Sequence, residues 1–160
     1  MDFGRPKSSS SRDVFTSLAT LVGSWEGLYP DGHIDHVTYH LTANGHALCE
    51  DWTMANGGKA LTVYYPDGPR LFAAHYCPIG NFPRLVLTST DEAGFHFNLH
   101  DVANLRDDCQ EHQHEFLIKI HHKDQFSRSE CYRSLNMQRA ALPDQGWYEA
   151  ALYRRLFASD

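Results

Sequence analysis

The fold class is indicated first by residues 71–90, LFAAHYCPIGNFPRLVLTST, which read as two β-strands around a tight turn. Residues 71–77 and 84–90 are rich in strand-forming side chains, and the turn between them contains Pro, Gly and Asn. Comparable turn residues recur at 30–32, 44–45, 56–58, 66–68, 92–94, 123–124 and 143–146. The pattern predicts a series of antiparallel strands joined by hairpins.

About ten strands are predicted after a short helix over residues 13–21, where apolar side chains recur at helical spacing. The strands lie near 24–29, 34–42, 46–54, 60–65, 70–77, 84–90, 94–100, 112–122, 125–133 and 147–157. The short connections leave no room for crossover helices, and closing the sheet removes its exposed edges. We therefore predict an all-β fold, an antiparallel up-and-down β-barrel with a short N-terminal helix.

Domain organisation is predicted to be simple. Residues 1–12 form a disordered polar tail, and residues 13–160 form one barrel domain. The connections over 101–111 and 134–146 are longer than the others and are expected to fold over the barrel mouth. No internal repeat indicates a second domain.

Composition narrows the class of partner. The 160 residues are 42% apolar and 12% aromatic, which is enough for one sizeable core. A net charge of -6, with only 14 Lys and Arg residues, disfavours nucleic acid and anionic membranes as partners. No apolar run is long enough to span a bilayer, and the Ser-rich N-terminus has no signal segment. We expect a cytoplasmic protein with reduced cysteines that acts on a small molecule.

A carboxyl group is predicted inside the barrel, on the strand over residues 46–54. Side chains two residues apart share a strand face, so Glu50 lies on the same apolar face as Trp52. A buried carboxyl without a partner has a raised pKa, as a general acid or base requires. Alternatively, Glu50 pairs with Arg84 or His75 as a buried polar group that has no catalytic role. The pattern leaves both interpretations open.

Four chemically distinct side chains surround the turn over residues 78–81. They are His75, Cys77, Asn81 and Arg84. Strand alternation does not decide which of them point inward, so their prediction as site residues depends on the turn, which places them at the mouth or the floor of the barrel. Tyr64 and Trp52, together with other aromatic side chains, are predicted to line the interior.

Two histidines are predicted to face the same cavity. His112 and His114 share a strand face with Phe116 and Ile118, and that apolar face should point inward. Such a pair can chelate a metal if His75 or Glu50 completes the site, but His-x-His pairs are common in a chain with 11 histidines. A metal site is therefore an alternative, and no cofactor is predicted.

A resemblance to a known family adds to these inferences. Gly23-Ser24-Trp25, directly after the predicted helix, resembles the Gly-x-Trp signature of lipocalins and their calycin relatives. In that family the Trp closes the barrel floor against an Arg of the last strand, a role that the resemblance gives to Arg154 or Arg155. A longer pattern is similar to a widespread family of lipocalin-like bacterial proteins, most without an established activity. It includes residues 21–27, 37–39, 47–50, 63–64, 75–77, 80–81, 83–84, 104–105 and 112–114.

The resemblance covers roughly residues 14–133 and implies a closed barrel around a central cavity. Gly-x-Trp-x-Gly followed by Tyr29-Pro30 also resembles the haem-binding nitrobindin barrels. Those proteins carry an axial His near the C-terminus, and the predicted last strand, 147–157, contains none. Haem is therefore not expected.

Three functions remain open at this stage. The first is a binding protein that holds a small apolar or aromatic ligand in the barrel and orients it with a few polar groups. The second is an isomerase, cyclase or dehydratase in which His75 is the general acid or base, helped by Glu50, while Arg84 and Asn81 stabilise an oxyanion. The third is a structural module that forms a homodimer through an exposed strand.

Overall fold

The computed structural model describes residues 9–139 and 146–157, which form a barrel of ten strands. The elements are helix α1 (Ser11–Ala19), strands β1 (Gly23–Leu28), β2 (Ile34–Thr42), β3 (Ala47–Thr53), β4 (Lys59–Asp67), β5 (Arg70–Tyr76), β6 (Phe82–Asp91), β7 (Gly94–Ala103), β8 (His112–His122) and β9 (Gln125–Arg133), helix α2 (Leu135–Arg139) and strand β10 (Ala151–Leu156). A single 3-10 turn, Ala43–Gly45, joins β2 to β3.

The sheet closes on itself. Every strand pairs antiparallel with its neighbours in the chain, and β1 completes the ring by pairing with β10. Full closure satisfies the backbone groups that an open sheet would expose at its edges. The predicted all-β, ten-stranded antiparallel barrel with a short N-terminal helix is confirmed.

The ends of the chain differ from the prediction in detail. Helix α1 begins at Ser11 because the Ser10 side chain accepts a hydrogen bond from Asp13 N and caps it. Residues 1–8 of the predicted tail lie outside the described residues. Strand β10 begins at Ala151 rather than near 147, and Trp147 makes only an isolated bridge to Cys131. The second of the two connections predicted to fold over the barrel mouth includes residues 140–145, which lie outside the described part. The two connections contact each other, because Asn136 N donates to Asp108 O.

One end of the barrel is closed by a tryptophan and an arginine. Trp25 is fully buried, its indole Nε1 donates to Leu21 O (2.7 Å), and the Arg155 guanidinium lies 4.3 Å from its ring centroid. The same guanidinium donates to Val22 O (2.8 Å) and Thr20 O (3.0 Å). Gly23 is required here twice over, because its φ is +133° and a Cβ would lie 2.8 Å from Arg155 Nη1.

Aromatic side chains fill this half of the barrel. Phe126 stacks on Tyr153 at 4.5 Å and meets Trp25 edge-on at 4.9 Å. Gly27 makes room for the Tyr153 ring, which a Cβ would approach to 2.2 Å. Because these rings occupy the interior, the expected central cavity is replaced by a packed core. A pocket opens towards the other end of the barrel.

Two further features bear on the predictions. Within residues 9–139 and 146–157, no helix is long and apolar enough to cross a membrane. The four cysteines do not form disulfides with one another.

Candidate ligand-binding site

A pocket of about 350 Å³ opens at the end of the barrel opposite α1. It lies where β1, β3, β5, β7 and β9 lead into their hairpins. Aromatic and aliphatic side chains contribute much of its wall, with a few charged groups among them. The lining residues are Tyr29, His33, Met54, Cys77, Pro78, Ile79, Glu111, Arg128, Glu130, Tyr132, Tyr148 and Glu149.

Arg128 of β9 connects the pocket to the core. Its side chain is 1% exposed, and Nη1 donates to both carboxylate oxygens of Glu50, at 2.8 and 3.0 Å. Its Nε donates to Glu130 Oε1 at 2.7 Å. The guanidinium also lies over the rings of Phe116 (4.3 Å) and Trp52 (5.2 Å). Burial opposes the charged form, but the neighbouring carboxylates outweigh it and raise the pKa of Arg128.

Glu50 faces inward, as predicted, and its carboxylate is saturated with donors. Besides Arg128, it accepts hydrogen bonds from Tyr39 Oη (2.6 Å), Tyr64 Oη (2.7 Å) and Trp52 Nε1 (2.7 Å). The predicted partners, Arg84 or His75, are wrong, because the ion pair is made with a residue 78 positions away. A carboxylate that is fully buried and held by four side chains is costly to disrupt, and it is not among the residues that line the pocket.

His75 lies inside the barrel but not on the pocket wall. It is 4% exposed, and its Nδ1 lies 3.0 Å from Thr62 Oγ1. Its Nε2 has no hydrogen-bond partner among the described residues. Burial, reinforced by the charge of Arg128, lowers the pKa of His75 to about 3. The imidazole is therefore neutral near pH 7, which makes it a weak general base.

Arg84 lies on the outer face of the barrel and does not meet the inward Glu50, although it lines a second pocket, of about 520 Å³, together with His75. Its register partner is Asp101, to which Nε and Nη2 both donate. The guanidinium also covers the ring of Phe72, 5.3 Å away. The outer face offers Arg84 an anion and an aromatic ring, so its charge remains at the surface, away from the pocket.

The turn over residues 78–81 supplies part of the pocket wall. Cys77, Pro78 and Ile79 line it, and burial raises the pKa of the Cys77 thiol. Asn81 is buried, and its Nδ2 donates to Glu111 O at 3.0 Å, which joins this turn to the end of the β7–β8 connection. Cys77 therefore contributes to the wall, whereas Asn81 positions the loops around it.

His112 and His114 do not share the inward face, because a bulge interrupts β8. The register between β8 and β9 shifts between Gln113 and Glu115. As a result, Gln113 pairs with Tyr132 and Phe116 pairs with Glu130, and both partners lie on the inward face of β9. His112 pairs with Arg133 on the opposite face. Neither histidine lines the pocket. The prediction that both point inward is therefore wrong, because strict alternation does not continue through the bulge.

Both histidines are nevertheless buried. Their ring centroids are 6.0 Å apart, and burial lowers the pKa of both, to about 4 for His114. His112 Nε2 and His114 Nδ1 lack partners within the described part of the chain. No group of three or more His, Cys, Asp or Glu side chains in that part is placed to hold a metal ion.

Sequence reasoning missed the residues that dominate the site. Phe126, Arg128, Glu130 and Tyr132 lie two apart on β9 and share its inward face. A guanidinium and a carboxylate between two aromatic residues on one strand face are a readable signal of a buried polar network. His33 was also missed; it stacks on Tyr29 with centroids 4.0 Å apart, at the pocket rim.

Comparisons with known proteins do not extend this picture. No family model matches the chain, and no curated protein matches it. The site is therefore interpreted from its own geometry.

Proposed function

We propose that the protein binds a small, largely apolar molecule in the pocket at the open end of the barrel. The observation that carries this proposal is the pocket itself, whose volume of about 350 Å³ lies within the range of small-molecule sites. Tyr29, Met54, Ile79 and Tyr148 offer apolar contact, and the Arg128–Glu130 pair offers fixed polar groups. Such a combination of apolar walls and few polar groups is typical of ligand pockets.

The polar groups of the proposed site are held in advance of binding. Arg128 is fixed by Glu50 and Glu130, and Tyr29 Oη lies 2.9 Å from Tyr153 Oη. A ligand would therefore meet side chains whose conformational freedom has already been lost, which favours affinity. This argument supports binding and requires no chemical step.

The enzymatic hypothesis has less support. Glu50 and His75 are buried and do not line this pocket, and Arg84, which lines a second pocket with His75, is held by Asp101 on the outer face. Among the described residues that line the pocket, we identify no replacement for the general acid or base and the oxyanion donor that this hypothesis assigned to His75, Glu50 and Arg84. We therefore place binding first and keep the isomerase, cyclase or dehydratase as a prediction without an assembled site.

Kinship with the lipocalin-like family is part of the proposal. The closed antiparallel barrel is compatible with it, and the contact between Trp25 and Arg155 is the one that the resemblance led us to expect. This kinship supports a binding role, because the lipocalin barrel encloses small ligands.

The proposal is tested by titration with N-phenyl-1-naphthylamine, an uncharged dye whose fluorescence increases in apolar surroundings. Ile79 lines the pocket and is 54% exposed, so Ile79→Trp should narrow the entrance without disturbing the core. We expect about tenfold weaker dye binding in this variant. Ile34→Trp is the matched control, since Ile34 is 40% exposed on β2 and is not among the lining residues.

The proposal requires a difference between these two variants. If the wild-type protein does not bind the dye, or if both substitutions change its affinity equally, the pocket is not the binding site. Melting temperatures of the three proteins should agree, which shows that a loss of binding does not come from unfolding.

A further inference from the structure

We infer that the ligand of this pocket is uncharged and presents a carbonyl-type hydrogen-bond acceptor to Nη2 of Arg128, and that carboxylates are rejected. This inference rests on the proposed binding function and names its ligand class. Two independent observations support it: an unused donor on a buried guanidinium, and an excess of carboxylates around the pocket.

The unused donor belongs to the residue that joins the pocket to the core. Two of the three guanidinium nitrogens of Arg128 have acceptors, Nη1 at Glu50 and Nε at Glu130. Nη2 is buried and has no partner among the described residues. A buried donor without an acceptor is costly, and Arg128 is part of the pocket wall. Nη2 itself has almost no accessible surface in this structure, so an oxygen atom at the inner end of a ligand would satisfy it once the side chains that cover it move aside.

The charge balance decides which oxygen is suitable. Arg128 is the lone guanidinium among the described lining residues, whereas Glu111, Glu130 and Glu149 contribute three carboxylates. Glu50 lies directly behind Arg128 and adds another carboxylate. The positive charge of Arg128 is thus already compensated by Glu50 and Glu130 before a ligand arrives. An anionic ligand would add a negative charge to a region that has an excess of them.

A neutral acceptor avoids this repulsion and still takes the hydrogen bond. Ketones, aldehydes, esters and amides meet both requirements, and their oxygen can accept from a charged donor. The remainder of the molecule should be aromatic or aliphatic, because Tyr29, Met54, Ile79 and Tyr148 line the same pocket as Arg128.

The experiment compares three compounds that share a naphthalene body: 2-acetylnaphthalene, 2-ethylnaphthalene and 2-naphthoate. Each competes with N-phenyl-1-naphthylamine for the wild-type protein at pH 7. We expect the ketone to bind about tenfold or more tightly than the hydrocarbon, since a hydrogen bond to a charged group is worth at least that factor. Naphthoate should bind about tenfold or more weakly than the ketone.

A variant pair tests the charge argument separately. Glu130→Gln removes one carboxylate but keeps an oxygen for Arg128 Nε, so naphthoate should gain about tenfold relative to the ketone. Glu115→Gln is the control, because Glu115 lies outside the pocket lining and accepts a hydrogen bond from Asn98. This change should leave the ratio of the two ligands as it is in the wild type.

The outcomes separate the two proposals. Absence of dye binding by the wild-type protein contradicts the binding function itself. If the dye binds but the ketone fails to displace it, or displaces it no better than the hydrocarbon, Nη2 is not the ligand's donor. If naphthoate competes as well as the ketone, or if Glu130→Gln leaves their ratio unchanged, the inferred rejection of carboxylates is overturned.

Discussion

Glu50→Gln should destabilise the protein strongly, although the substitution hardly changes the size of the side chain. The carboxylate is fully buried, and it receives donors from Tyr39, Tyr64, Trp52 and Arg128. A glutamine offers one oxygen in place of two, and its amide group is itself a donor that faces other donors. The substitution also removes the charge that compensates the buried guanidinium.

The magnitude follows from breaking a buried ion pair. Removing one partner leaves an uncompensated buried charge, which costs about 3–5 kcal/mol. Glu130 still contacts Arg128 Nε at 2.7 Å, so the lower part of that range is the expected result. For a chain of this length, each kcal/mol shifts the melting temperature by roughly 2–4 °C, so a decrease of about 6–12 °C is expected.

Urea unfolding followed by tryptophan fluorescence measures this free energy, and the chain contains three Trp residues as reporters. Asp101→Asn is the control, because it breaks the exposed ion pair with Arg84 and should cost less than about 1 kcal/mol. The Glu50→Gln/Arg128→Met double variant should cost less than the sum of its single changes by at least about 1 kcal/mol. If Glu50→Gln costs no more than the surface control, or if the two changes are additive, the buried ion pair does not exist as described.

Two further predictions concern the closed end and the buried imidazole. Arg155→Ala removes hydrogen bonds to Val22 O and Thr20 O and the stacking on Trp25, so the free energy of unfolding should fall by about 2–3 kcal/mol. The control is Arg154→Ala, at an exposed neighbouring position, which should change this free energy little. Equal effects of the two substitutions would contradict the role of Arg155. His75 has a folded-state pKa of about 3, compared with an ordinary value of 6.5, so the unfolded chain binds a proton first as the pH falls. The stability that neutral His75 provides is therefore complete above pH 6.5 and is lost towards pH 3. His75→Gln should therefore reduce the slope of unfolding free energy against pH in this window by up to about 1.4 kcal/mol per pH unit, and an unchanged slope in urea titrations would refute the burial of a neutral imidazole.

Local chemistry explains why so much of the fold could be predicted. Turn residues such as Pro78 and Gly80 mark the ends of strands, and alternation between them identifies the buried face, as for Glu50 and Trp52 on β3. These signals act over a few residues, so they can be read along a single chain. The closing contact of Trp25 with Arg155 was anticipated from a resemblance, which carries information about distant pairs that local patterns lack.

The candidate site was predicted less well, because its decisive features are not local. The alternation that placed His112 and His114 inside fails at the bulge before Glu115, and a bulge depends on the neighbouring strand. Arg84 lies outside because the register of β6 with β7 places it beside Asp101. No sequence pattern near Glu50 indicates that its counterion is Arg128.

By itself, the sequence determined the class of architecture: hairpin turns, strand faces and a capped helix, each specified by side chains close together in the chain. The tertiary structure alone decided which polar groups meet, because barrel closure brings β9 opposite β3 and seats Arg128 on Glu50. It also decided where space remains, since aromatic packing around Phe126 fills one half of the barrel and leaves the pocket at the other. Packing and electrostatic compensation are properties of the closed barrel as a whole, and no single strand contains them.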